Sequence, residues 1–215
     1  DRPNDKLIAL LLAAEALRRG GARRLVLVAP YLCYMRQDMA FRPGEAISQR
    51  AIGALIASQF DRLVTVDPHL HRARDLGEIF GGIEADNLSA MPVMAATLRT
   101  EGIDPRAVIA GPDQESAPWV RQLADPLGLP FIVARKTRSG DRSVAVEFAD
   151  LSGVKDRPVV FVDDLVSSGG TLIACARALA RGGARSIDVL VTHALFPESA
   201  MADFAAAGIR SIRST

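Results

Sequence analysis

The sequence predicts an α/β protein built on parallel sheet, and two observations carry that prediction. Stretches with apolar residues at helical spacing alternate with short apolar, largely β-branched runs along the chain. One of those runs, Val159-Val160-Phe161-Val162, leads through a polar, glycine-bearing loop into the helical stretch Leu172–Leu179. Such strand–loop–helix junctions, at the carboxyl ends of the strands, are where open α/β sheets collect ligands.

Each element has its own reason. Asp5 to Arg19 spaces leucines and alanines as a helix does, and Gly20-Gly21 closes it. Leu25–Ala29 reads as a buried strand, Ile47–Ser58 as a helix with Ser48 near its cap, and Leu63–Val66 as a second strand. A helix at Met91–Arg99, a strand at Ala107–Ala110, a helix at Trp119–Leu127 and a short strand at Phe131–Val133 continue the rhythm. Arg135 to Ser143 is polar, and Val144–Phe148 again reads as a strand. Beyond the central junction come a strand at Ile187–Val191, a helix near Glu198–Ala206 and a closing strand at Ile209–Ile212. The pattern starts in a helix and stops on a strand, so truncation at both ends is expected.

Composition narrows the function. With 215 residues, 49% hydrophobic and 24% charged, the chain can bury one large core or two small ones. A net charge of +1 makes no electrostatic case for nucleic acid or membrane as the main partner. The first residues lack a signal-peptide pattern, and the two cysteines, Cys33 and Cys175, lack metal-ligand spacing. A reduced, cytoplasmic setting is expected.

The central junction carries the chemistry. Gly169 and Gly170 allow close backbone approach to an anion at the start of a helix, and the Ser167, Ser168 and Thr171 hydroxyls add hydrogen bonds. Asp163 and Asp164, expected just past the strand, would repel phosphate and so call for sugar hydroxyls or a divalent cation. A ligand with phosphate at one end and a diol nearby is a sugar phosphate, and ribose 5-phosphate fits.

The other strand ends are polar too. Arg36 offers a planar fork for phosphate or base, and Gln37 a donor and acceptor for a purine edge. Asp67-Pro68-His69-Leu70-His71 sets two histidines beside a carboxylate, a pattern for metal or phosphate as much as for an ordinary loop. Asp113-Gln114-Glu115-Ser116 holds acidic groups able to bind a hard cation or to cap the following helix. Lysine occurs only at Lys6, Lys136 and Lys155 among 26 basic residues, which singles out Lys136 in the polar segment Lys136–Ser143. With Arg138, it reads either as part of an exposed hairpin or as a flap closing over a transferring phosphoryl group.

Taken together, these blocks resemble the ribose-phosphate diphosphokinase family across nearly the whole chain. Tyr34–Asp38 with Phe41–Ser48 is similar to its nucleotide loop, Val66–His69 to its metal-side strand end, and Pro112-Asp113 to its second metal position. Asp86–Leu88 with Pro92 is similar to a stretch between its halves, Lys136 and Arg138 to its catalytic flap, and Thr192–Phe196 to its last core strand end. The block from Val159 to Thr171 resembles the phosphoribosyl-binding motif that it shares with type I phosphoribosyltransferases.

The resemblance implies two similar three-layer α/β halves, divided as 1–88 and 89–215, and diphosphoryl transfer from MgATP to ribose 5-phosphate. It implies Arg36 and Gln37 on the nucleotide, His69 and Asp113 facing Mg2+, and Lys136 and Arg138 in catalysis. Asp163, Asp164 and Ser167 to Thr171 would bind ribose 5-phosphate. The partners implied are small-molecule substrates and further copies of the chain, as a dimer or an assembly of dimers. Two departures stand out: Gln114, Glu115 and Ser116 replace a glycine pair and are expected to crowd a diphosphate, and Ser167 replaces a third acidic residue. A phosphoribosyltransferase consuming the product, or a non-catalytic associated subunit, are the alternatives.

Overall fold

The computed structural model describes residues 2–70, 75–139 and 143–215; at 136–139 and 143–145 it describes the backbone alone. The chain forms two compact units, Asp1–Ser89 and Ala90–Thr215. Among the described residues no helix is long and apolar enough to cross a membrane.

The first unit runs α1 (Pro3–Arg19), β1 (Val26–Val28), α2 (Ser48–Ala57), β2 (Arg62–Val66) and β3 (Glu84–Leu88). Its three strands pair in parallel in the order β1-β2-β3. Leu27 and Leu63, from the sheet, pack with Ala14, Ile56, Phe60 and Phe80 in one core. The polar run Glu84–Leu88 lacks an apolar strand signature, yet it pairs along the whole of β2. Charge complementarity assists it: Arg62 Nε donates to Asp86 Oδ2 at 2.7 Å, and the Arg62 guanidinium holds the Asp86 carboxyl below the usual range.

The second unit comprises α3 (Met91–Thr100), β4 (Val108–Gly111), α4 (Ala117–Ala124), β5 (Phe131–Ser139) and β6 (Ser143–Phe148). It continues through β7 (Pro158–Val166), α5 (Gly170–Arg181), β8 (Ser186–Ala194), α6 (Ala200–Ala206) and β9 (Ile209–Ser214). The six-stranded sheet has the order β6-β5-β4-β7-β8-β9, parallel except where β6 turns back along β5. Val159, Phe161, Val189 and Val191 of the sheet pack against Leu172, Cys175 and Leu179 of α5 and Phe204 of α6. Met94, Leu98, Val120 and Leu123 of α3 and α4 are buried outside that cluster, giving the sheet a helical layer on each side.

Besides β3, which has no counterpart among the expected strands, three expected elements run to other bounds. The central strand does not stop at Val162: β7 continues through Asp163 and Asp164 to Val166, because β8 goes on pairing beside it, Asp163 with Val191 and Leu165 with His193. The strand at Phe131 runs on to Ser139, since its polar half pairs with β6, from Ala134 opposite Phe148 to Ser139 opposite Ser143. The helix expected at 119–127 starts earlier, at Ala117, and ends at Ala124; Asp125–Leu127 forms a separate 3-10 turn, as Pro126 cannot supply the amide that an α-helix needs.

Candidate active site

Strand order locates the site of the second unit. From β4 the chain winds outward through β5 and β6, then returns to the opposite flank of β4 with β7 and winds the other way. The crevice beyond β4 and β7 is therefore the topological switch point, where parallel sheets take ligands. Asp113 follows β4 there, and Ser167 follows β7.

Asp164 is buried and Asp163 half-buried, and the backbone N–H of Asp164 donates to Asp163 Oδ1 at 3.0 Å. The Asp163 carboxyl is pushed well above the usual carboxylate range, first by burial and then by the neighbouring Asp164, with a further contribution from Asp113. Negative charge thus gathers at one end of β7 and calls for hydroxyl donors or a cation.

Asp113 also has a local task. Its Oδ1 accepts from Ser116 N at 3.1 Å, and Ser116 Oγ accepts from Asp113 N at 3.4 Å, a reciprocal cap on the turn leading into α4. Ser116 is fully buried, so the expectation that it crowds a diphosphate fails; Gln114 and Glu115 are exposed. Gly111 is required here, because a Cβ on it would lie 2.4 Å from Ser116 Oγ and 2.5 Å from Val120 Cγ2.

Ser167, Ser168 and Gly169 join β7 to α5, with Gly170 and Thr171 in the first turn of the helix. No side chain caps α5, so its opening N–H groups face the loop as an anion would need. The two glycines differ in role. Gly169 has φ of 77° and a Cβ there would lie 2.2 Å from the Phe204 ring, so the core demands it as well as any ligand. Around Gly170 the space is open, with Ser168 Oγ the nearest atom at 4.0 Å. Sequence reasoning had no signal for Phe204, which is distant in the chain, or for the inward turn of Ser116.

Lys136 and Arg138 lie on β5, paired with Val146 and Val144 of β6. Their side chains, like the whole of Gly140–Arg142 in the expected flap, lie outside the described residues.

The first unit holds Arg36, Gln37 and His69. Arg36 is exposed and Gln37 half-buried in the loop after β1. Met35, 1% exposed, plugs this loop into the core, Gln49 Nε2 donates to the Met35 carbonyl at 3.1 Å, and Gln49 N donates to the Gln37 carbonyl at 3.2 Å. His69 is half-buried just past β2, following Asp67, whose φ of 40° marks a strained turn tied by Asp67 N to the Leu88 carbonyl at 2.9 Å. His71 lies outside the described residues.

A magnesium ion suits this donor set. Among the described residues no three His, Cys, Asp or Glu side chains form a ready metal cage. Mg2+ rarely uses one; it takes one or two carboxylates and completes its shell with water and substrate phosphate. Burial and the neighbouring Asp164 and Asp113 charges push the Asp163 carboxyl upward, and such an ion would offset that crowding.

A parallel sheet whose switch-point strand carries paired aspartates, followed by a hydroxyl-rich loop and an uncapped helix, defines a type I phosphoribosyltransferase fold. Residues 92–203 match the phosphoribosyl transferase domain, and residues 1–59 match the N-terminal domain of ribose phosphate pyrophosphokinase. The chain belongs to the ribose-phosphate pyrophosphokinase family. It is 33% identical over 214 residues to the ribose-phosphate pyrophosphokinase of Methanopyrus kandleri, covering 99% of this chain and 71% of that one. It is 32% identical over 212 residues to the enzyme of Agrobacterium fabrum, covering 97% and 66%. The crystal structure of phosphoribosylpyrophosphate synthetase from Mycobacterium smegmatis superposes with a TM-score of 0.85 at 27% identity, covering 98% of this chain and 67% of that one. The chain thus spans about two thirds of the length of the relatives it matches.

Proposed function

We propose that the full-length protein transfers the diphosphoryl group of MgATP to the anomeric hydroxyl of ribose 5-phosphate, giving 5-phosphoribosyl 1-diphosphate and AMP. The β7–α5 junction carries this reading: two adjacent aspartates, with the Asp163 carboxyl pushed well above the usual carboxylate range by burial and by Asp164, stand within a few residues of an uncapped helix start. Asp163 and Asp164 hold the ribose hydroxyls, and Ser167 to Thr171 the 5-phosphate. Arg36 and Gln37 hold the nucleotide, while His69 and Asp113 face magnesium. Magnesium held there would supply positive charge to offset the polyphosphate. Lys136 and Arg138 stabilise charge on that group as it moves, so that positioning and electrostatics supply the rate.

A cytoplasmic homo-oligomer, a dimer or an assembly of dimers, completes the reading. Incubating the full-length protein with MgATP and ribose 5-phosphate should release AMP, whereas a transferase that consumes the product would release none. Lys136→Ala should lower turnover by about 100- to 1,000-fold, on the scale of losing one preorganised charge-stabilising donor. Near-normal turnover in that variant would remove the flap from the mechanism.

A further inference from the structure

Helix α1 is apolar on two sides, and the first unit covers one of them. Ala14 and Leu10 pack into the core around Leu27 and Leu63, with Leu7 and Leu11 half-buried beside them. On the other side Ile8 is 58% and Leu12 66% exposed, and Ala9, Ala13 and Ala16 lie exposed with them. An apolar stripe this continuous, on a helix already docked by its opposite face, calls for a second cover. The stripe is framed by charge. Asp5 stands seven residues before Leu12 and Arg19 seven residues after it, two helical turns each way, so the three side chains start from nearly one line along the helix. Ile8 and Ala16 flank Leu12 at four residues each, on the same face. Asp5 and Arg19 are both exposed, and the contact of Asp5 with Arg2, at 3.6 Å, is a loose surface pair.

Reversed end for end, this stripe is its own complement. Two copies laid antiparallel about a two-fold axis at Leu12 set Asp5 opposite the partner's Arg19, Ile8 opposite the partner's Ala16, and Leu12 against its own copy. The large Ile8 thus meets a small residue, which lets the two helices approach closely. A parallel arrangement would set Asp5 against Asp5 and Arg19 against Arg19, and like charges oppose it. The two-fold pairing also closes on itself, so it makes a dimer and not a filament. We propose that the outer face of α1 docks on the same face of a second copy of this chain, antiparallel across an axis at Leu12. This rests on the reading of the protein as a homo-oligomer and gives that reading a surface; it does not depend on the reaction.

The test uses the full-length protein, with sedimentation and native mass spectrometry for assembly size, circular dichroism for the fold, and AMP release as a separate readout. Leu12→Glu puts two carboxylates on the axis and should weaken the pairing by about a hundredfold or more, giving a smaller particle with an unchanged dichroism spectrum. Asp5→Arg and Arg19→Asp should each weaken it about tenfold, because every charge pair occurs twice across the axis. The double variant Asp5→Arg/Arg19→Asp should restore it, which a mere loss of folding would not. Leu12→Cys should cross-link under mild oxidation to a dimer on a non-reducing gel, a band that the parent, with Cys33 and Cys175, should not give. A parent that sediments as a monomer would overturn the oligomer reading and this contact together. An oligomeric parent whose mass survives Leu12→Glu, with charge reversals that neither weaken nor restore assembly, would overturn the contact alone. So would a lower melting temperature of Leu12→Glu at unchanged mass, the mark of a face covered from within the same chain. If the predicted shifts appear and the parent releases no AMP, the contact is supported and the proposed reaction falls.

Discussion

The carboxyl of Asp163 holds its proton to a pH above the ordinary value of 3.8, because burial and the Asp164 charge oppose ionisation. The folded protein therefore binds a proton that the unfolded chain releases in the window between 3.8 and the raised folded value. Stability from this group is complete below the unfolded value and is lost as pH rises through the folded one. Asp163→Asn should then raise the melting temperature of the ligand-free protein at pH 7–8, by about 2–4 °C per kcal/mol regained, and change it little near pH 3. The amide retains an oxygen to accept from Asp164 N. The same variant should lose the thermal protection that ribose 5-phosphate gives the parent; protection retained in full would separate Asp163 from the sugar. The gathering of carboxylates beside the loop was legible in the sequence, because carboxylates next to hydroxyls and glycines are chemically conspicuous. The reason for Gly169 was not: half of it is the ring of Phe204, which no local pattern connects to the loop.

Elements were legible wherever the apolar spacing was clear, as in α2 and β4, although Ser48 opens α2 without capping it and donates instead to the Tyr34 carbonyl; they were misread where polar residues join a ladder. Asp163 and Asp164 stay in β7 because β8 keeps pairing beside them, and Arg135–Ser139 stays in β5 because β6 folds back along it. Neither partner is visible from composition. Asp113 shows how one side chain serves an element and a site together. Asp113→Asn keeps an oxygen for Ser116 N and should melt within about 1 °C of the parent, whereas Asp113→Ala loses the cap, about 1 kcal/mol, and should melt about 2–4 °C lower. Both should lose turnover, since both remove the charge that would face magnesium. An asparagine variant with normal activity would reduce Asp113 to a cap.

Across the whole molecule, the residues assigned to nucleotide and to sugar phosphate fall in units with separate cores, one around Leu27 and Leu63, the other around Phe161 and Leu172. Hydrogen exchange should resolve them: ribose 5-phosphate alone should slow the amides of residues 166–173, and MgATP those of residues 34–37. Sugar phosphate protection confined to the first unit would reverse the assignment. One further consequence follows from the ring of Phe204, which meets Phe196 edge-on at a centroid distance of 5.0 Å and occupies the space where Gly169 has no side chain. The curvature of the loop is thus moulded from behind by aromatic wedges of the core. Loosening α6 would blunt recognition while the sheet stayed intact, so heat should silence the enzyme some degrees before it melts it.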